Sequence, residues 1–594
     1  MAKNHFVYAH VPYIIKSYKD IVKNPKDTIL FDESLHNQID QQKEDLGADG
    51  ALLKTPSGEV YHVNMLEKLL ATILTKMSNL VPEAGIWLNT QRPEWNDANN
   101  ALVGNGTSMV TLYYMRRFFS FFDNLIGSVD FTSSAISEEL HSFFSEIFIQ
   151  LNKHEGLLAN PMSQQGRQSV VDALGQAGSS YRKHIYNNGF SSKTADISIA
   201  DLKAFIRISL SFIDHSIDAN KRGDGLYHAY NLITFEDQGG VSISYLDEML
   251  EGQVAVLSSG YLSPAQSNEV LNQMRKSKLY REDQNSYILY PNKDLPRFFE
   301  KNNVPIEVVE NSSLLKTLLT ENNKQVIQKD SVDNYHFNGN FTNLDSLKNA
   351  LSELPARYDI LVSNEEEDLL DAFEDLFDHK SFTGRSGTFF AFEGLGSIYW
   401  HMVSKLAFAV QEVLWKSIHK QSDNKVTESL RKHYYAVVDG IGAHKTPKAY
   451  GAFPTDPYSH TPASRGAQQP GMTGQVKEDI LCRWGEFGVY AQGGKLFFNS
   501  TIIRTEEYLE EDKEFVFYDV NNKKQTLTIP KHALCFTYCQ VPIVYHNQSN
   551  ASGVELVLSN GEHKKTDQYH LDAGDAANLF SRNGKISQIH IYFS

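Results

Sequence analysis

Cysteine is nearly missing from this chain: three in 594 residues, Cys482, Cys535 and Cys539. Were 535–539 a strand, its two ends would share a face about 13 Å apart, beyond disulfide reach. No metal-type cysteine spacing occurs either, so a reducing compartment is expected. An apolar run of membrane length is absent, and Met1-Ala2-Lys3-Asn4-His5-Phe6-Val7-Tyr8 lacks the apolar core of a secretory signal. The expected location is the cytoplasm, with no membrane partner. Basic charge is in deficit as well, with 56 Lys+Arg against 72 Asp+Glu and a net charge of −16. Nucleic acid and anionic membranes want basic patches, so neither is expected as a partner. No repeat of fixed period and no low-complexity tract stands out.

What is present is ordinary globular composition, 41% hydrophobic and 22% charged, in a chain long enough for two or more domains. From residue 64 onward the dominant period is helical: Met65, Leu66, Leu69, Leu70, Ile73, Leu74, Met77 and Leu80 form one apolar stripe. Further helices are expected near 107–126, 133–153, 163–186, 199–220, 263–279, 364–378, 397–421, 424–438 and 474–488. Ser133, and Ser263 with Pro264, supply start signals. Residues 280–350, with a short strand at Tyr287-Ile288-Leu289-Tyr290-Pro291, read as an insertion. The run Glu365-Glu366-Glu367-Asp368 reads as a solvated helix start facing the positive end of the dipole. After Gly493-Gly494 the period becomes two. Strands are expected at 495–504, 514–520, 525–529, 533–545, 554–558 and 586–593, with a turn at Asn521-Asn522-Lys523-Lys524. The expected fold class is therefore mainly α: a helical bundle or toroid over 1–493, then a small β-sandwich domain over 494–594.

Chemistry concentrates in Arg92-Pro93-Glu94-Trp95-Asn96-Asp97-Ala98-Asn99-Asn100. An indole stacks on the C–H face of a sugar, while amides, Arg92 and carboxylates read its hydroxyls. A carboxyl beside such a ring can protonate a glycosidic oxygen, and the neighbouring Trp and Pro would raise the pKa of Glu94 or Asp97. The competing reading is a capping loop around a buried Trp. A second concentration runs from Gly442 to Pro462, a Pro- and Gly-rich loop carrying His444, Lys445, Asp456 and His460, with Arg465 and Gln469 beyond. These residues would bind hydroxyls or phosphate, or simply satisfy one another. Further ligands for a zinc ion at His444 and His460 are not identified by spacing, and no metal is expected.

Three segments in order resemble the inverting β-glycoside phosphorylases of the cellobiose and chitobiose phosphorylase type. Trp95-Asn96-Asp97 is similar to that family's Trp-Asn-Asp, which implies Asp97 as general acid and Trp95 as a sugar contact. Phe392-Glu393-Gly394-Leu395-Gly396-Ser397-Ile398-Tyr399-Trp400-His401 resembles its Lys-Glu-Asn-Gly-Gly-Ile-Phe-Cys-His, with Phe for Lys and one extra residue before the His. This implies Glu393 on the donor sugar and His401 on phosphate. Met472-Thr473-Gly474-Gln475 resembles its Thr-Gly-Ser turn, implying Thr473 and Gly474 as phosphate contacts at a helix N-terminus. The resemblance covers about 60–130 and 380–500 and implies an (α/α)6 toroid followed by a β-domain. It further implies that the chain corresponds to the carboxyl-terminal half of such an enzyme, so that a partner chain or a homo-oligomer would complete it.

The reaction so implied is phosphorolysis of a β-linked gluco-oligosaccharide, with inorganic phosphate as co-substrate and no cofactor. A hydrolase on the same scaffold needs a base; Glu478 and Glu94 are the candidates, Glu478 being equally readable as a dipole-complementing residue in a first helical turn. A non-catalytic sugar-binding or assembly subunit is the third reading. His401, set in an apolar helix start, would also suit a core position.

Overall fold

The computed structural model describes residues 3–89, 102–291, 298–377, 398–441, 445–446, 460–461, 473–547 and 551–593. The chain divides into two compact units: 1–402 with 447–453 and 460–468, and 403–446 with 454–459 and 469–594.

Near the start of unit 1 lies a two-stranded ladder, β1 (Tyr13–Ile15) and β2 (Ile29–Phe31). Helix α1 (Met65–Met77) buries Leu66, Leu70, Ile73, Leu74 and Met77 behind an Asn64 N-cap, most of the predicted stripe, while Met65 is exposed and Leu69 half-buried. Three short strands follow, β3 (Leu80–Val81), β4 (Gly85–Trp87) and β5 (Gly106–Ser108), then α2 (Met109–Gly127). A strand over Ser133–Ser137 precedes α3 (Glu138–His154), so the helix expected from 133 begins five residues late. Next come α4 (Gln164–Asn188), α5 (Ile199–Ala219), β6 (Tyr230–Phe235) and β7 (Val241–Tyr245). The strands form one antiparallel sheet in the order β7-β6-β5-β4-β3. Gly85 is required where it stands: at φ +120° a side chain there would meet the Ser108 carbonyl at 2.8 Å. Helices and small sheets thus alternate within unit 1, and the class is mixed α and β rather than mainly α.

Residues 298–377 carry a hydrophobic cluster of their own, centred on Leu314, Leu318, Phe337, Leu347 and Phe373. Its last helix, α6 (Asp359–Phe377), starts six residues before Glu365, which corrects the reading of the acidic run as a first turn. The Glu365 carboxylate instead caps another helix, accepting from Ser312 Oγ at 2.5 Å and from the Ser313 and Leu314 amides at 3.0 and 3.1 Å. Strand β8 (Ile398–Tyr399) leads into α7 (Trp400–His419).

Unit 2 contains α8 (Asn424–Gly440) and, after β9 (His460–Thr461) of unit 1, helix α9 (Thr473–Phe487). Its β region has a hairpin, β10 (Lys513–Tyr518) and β11 (Lys524–Ile529), turned at Asn522 as expected. The span 533–545 is two strands rather than one, β12 (Ala533–Tyr538) and β13 (Val541–His546), because Cys539 and Gln540 both take positive φ and close a turn. With β14 (Gly553–Leu558), β15 (His563–Thr566) and β16 (Ile586–Tyr592) they make a five-stranded sheet, ordered β12-β13-β16-β14-β15. The β13–β16 pair is parallel. The strand expected at 495–504 stops at Phe497. All three cysteines are free.

Candidate functional site

The expected site residues fall into two described groups and one set that lies outside the described residues. Arg92, Glu94, Trp95 and Asp97 belong to 90–101, Glu393 to 378–397, His444 to 442–444 and Asp456 to 447–459, all outside.

Around 90–101, the flanking framework is described. Trp87, at the end of β4, donates its indole Nε1–H to the Gly104 carbonyl at 2.7 Å, and the Gly104 amide donates to the Leu88 carbonyl at 2.7 Å. These bonds pin together the two ends from which the segment leaves and returns. Beneath them lies a polar network that no sequence motif announced. Glu83, in the β3–β4 turn, holds φ +62° and is 5% exposed. Its amide donates to Ser216 Oγ at 3.0 Å and its carbonyl accepts from Asn220 Nδ2 at 2.7 Å. Its carboxylate takes the Arg167 guanidinium, His215 Nε2 at 3.0 Å and the Met162 amide at 2.7 Å. Burial alone would raise this carboxyl's pKa, but the hydrogen bonds from His215, Met162 and Arg167 outweigh it and hold it at about 2. Left-handed backbone at a non-glycine is costly, and these bonds are what keep the turn in place. The only sequence signals were a lone Glu after Pro82 and an Arg in a polar helix start.

Folding brings the backbone of His460 opposite Tyr399, two residues before His401. Strand β8 pairs with β9 so that Tyr399 faces His460 and Ile398 faces Thr461, although 61 residues separate the partners in sequence. The Tyr399 hydroxyl hydrogen-bonds His401 Nδ1 at 2.9 Å, and the His401 ring is buried. That contact sets the ring's orientation, whichever tautomer is present.

In unit 2, Thr473, Gly474 and Glu478 share α9, with Thr473 at its first position. Glu478 is 5% exposed; Oε1 lies 3.7 Å from Lys477 Nζ, while Oε2 has no hydrogen-bond partner among the described residues. It sits in the second turn, so the first-turn reading does not apply. Further along, Gln411 of α7 donates to Tyr434 Oη at 2.9 Å and the Cys482 carbonyl at 2.7 Å, and Tyr434 donates to Glu486 at 2.7 Å, which locks α7, α8 and α9 together. Lys445 follows the end of α8, in unit 2.

Among the described residues, unit 1 has cavities large enough for an organic ligand. One, of about 1180 Å³, is walled by β1, β2 and α4, with Leu88, Asn89 and Val103, which flank 90–101, in its lining. Another, of about 930 Å³, lies between α3 and α4 and is lined by Glu139, Glu146, His154, Asp172 and His184. Among the described residues no group of three or more His, Cys, Asp or Glu is placed to hold a metal ion, and no helix is long and apolar enough to cross a membrane.

Residues 295–380 match the family model described as GH149 phosphorylase insertion domain 2. This is the self-contained cluster built on Phe337 and Phe373. No curated protein matches the chain. The match points to a glycoside phosphorylase family and to a glycoside-active enzyme, and it does not single out the cellobiose or chitobiose type.

Proposed function

We propose that this chain performs inverting phosphorolysis of a β-linked gluco-oligosaccharide. The observation that carries the reading is the insertion-domain match at 295–380, because it overlaps none of the residues that suggested a phosphorylase in the first place. Trp95-Asn96-Asp97 precede it, and Glu393, His401 and Thr473-Gly474 follow it. In this reaction a phosphate oxygen attacks the anomeric carbon as the bond to the glycosidic oxygen breaks on the opposite face. The departing oxygen takes a proton from Asp97, and the products are an inverted sugar 1-phosphate and a shortened saccharide. Trp95 and Glu393 hold the donor sugar; Arg92, Lys445, Asp456 and the two histidines 444 and 460 border it. His401, steadied by Tyr399, binds phosphate together with Thr473 and Gly474. The helix pairs of unit 1, α3 with α4 and α2 with α5, are what an (α/α)-toroid would be assembled from. A partner chain or second copy completes the toroid in this reading, and the cytoplasm is its setting.

One observation favours a second reading. The unpartnered Glu478 Oε2 is a buried acceptor of the kind that activates a water in an inverting hydrolase. The two separate on one experiment: β-linked gluco-oligosaccharides are incubated with and without inorganic phosphate. Sugar 1-phosphate formed only with phosphate is the expected result. Free reducing sugar formed without phosphate, and lost in Glu478→Gln, would establish the hydrolase. Saccharide binding without turnover under either condition would leave a non-catalytic subunit.

A further inference from the structure

The 1180 Å³ cavity of unit 1 contains a charge that the protein leaves unanswered. Arg182 projects from α4, whose neighbouring turns hold Gly178 and Tyr186, and its guanidinium makes no hydrogen bond or ion pair with any described residue. The buried Nε–H in particular has no acceptor. Burial pushes the guanidinium's pKa down from its ordinary value, and no carboxylate offsets this. The carboxylates that line this cavity and the cleft beside it are engaged elsewhere: Asp32 caps the following helix through the Leu35 amide at 2.9 Å, Asp27 pairs with Lys16 at 2.5 Å, and Asp20 accepts from Ser17 Oγ at 2.5 Å. Arg182 also lines an adjoining 920 Å³ cleft with Lys16, Lys23 and Lys183 against Asp20 and Asp27, so the cations outnumber the carboxylates there in an otherwise acidic protein. Much of the remaining wall is apolar or aromatic, including Ile14, Ile29, Leu35, Trp87, Ile185 and Phe190, with the polar side chains of His10, Lys76, Asn79 and Asn89 set among them.

A guanidinium stays charged at any physiological pH, and taking it out of water without a counter-ion is unfavourable unless something supplies that counter-ion. A carboxylate or phosphate matches its planar fork of donors, and an apolar body matches the walls. We propose that this cavity binds a small organic anion, with the acidic head on Arg182 and an aromatic or alkyl body against Ile14, Trp87 and Phe190. The site does not depend on the glycoside reading, since it requires no turnover.

Anilinonaphthalene sulfonate, an aromatic anion whose fluorescence rises on burial, is the probe. Titration of the full chain gives saturable binding that is displaced by phenyl phosphate or benzoate and far less by neutral benzyl alcohol. Whichever acid displaces it at lower concentration identifies the head group. Arg182→Leu weakens dye binding at least tenfold and abolishes displacement by the acids, while Arg182→Lys retains most of both. Because the leucine removes a partly buried charge that has no counter-ion among the described residues, its melting temperature without ligand equals or exceeds that of the parent. Unchanged dye affinity in Arg182→Leu, equal displacement by benzyl alcohol, or no saturable binding by the parent overturns the proposal. A fall in melting temperature for Arg182→Leu also overturns it, since that would assign Arg182 a structural role.

Discussion

Glu83 and Arg167, 84 residues apart in the chain, form an ion pair that is more than nine-tenths buried on both sides. The pair fastens the β3–β4 turn to the start of α4, and β4 ends two residues before the segment that carries Trp95, Asn96 and Asp97.

Removing one partner strands the other in a poorly solvated place. Arg167→Met should therefore destabilise unit 1 by about 3–5 kcal/mol, measured by thermal or urea unfolding. The pH dependence has a definite sign. The folded carboxyl titrates at about 2 and the unfolded one near 4.5. Its contribution is complete above pH 4.5 and declines as pH falls through 2, amounting to about 3 kcal/mol. In Glu83→Gln that part of the acid limb should disappear.

Asp97→Asn should lower phosphorolysis by about 10²- to 10⁴-fold, the usual contribution of a positioned general acid. Circular dichroism and melting temperature should stay at parental values. An Asn variant that turns over at the parental rate would remove the acid assignment.

Gly485→Ala should destabilise unit 2, although alanine is the better helix former. An added Cβ would lie 1.8 Å from Gln411 Oε1, and Gln411 is held by Tyr434 and the Cys482 carbonyl. Overpacking of this kind costs about 1–3 kcal/mol, against a helix-propensity gain of about 1 kcal/mol. Denaturant midpoints of parent and variant measure the difference.

In the β region, His546 stacks on Tyr592 with ring centroids 4.5 Å apart, and its Nε2 lies 3.0 Å from His590 Nδ1. Burial, then the neighbouring His590, depress its pKa to about 4. The unfolded chain, titrating near 6.5, therefore binds the proton more readily, and this region should lose stability as pH falls from 6.5 towards 4. His546→Phe keeps the stacking and should flatten that limb, as followed by near-ultraviolet circular dichroism across pH.

Much of the secondary structure was legible in the sequence. The α1 stripe, the 164–188 helix and the Ser263 start were readable because amphipathic period and capping are local, set within a turn or two. Ser263 and Gln266 form the full capping box. The unit 1 sheet was not readable. Leu80–Val81 and Gly85–Trp87 are too short to show a period of two, and they exist as strands only through pairing with chain further on. Thr107 of β5, for instance, bonds Asn231, 124 residues away. The run at Glu365 misled for a related reason: acidic density marks helix starts on average, but here one carboxylate serves a neighbouring helix.

By itself the sequence determined the succession of helices, the shift to alternating strands after Gly493, and an acid-rich composition. It also supplied the residue types for a sugar site. Tertiary structure alone decided that Tyr399 pairs across strands with His460, that Arg167 forms an ion pair with Glu83, and that Arg182 lines a cavity without a counter-ion among the described residues. Periodicity and capping are properties of neighbouring residues, whereas these relationships depend on loop closure and on which groups the folded chain removes from water.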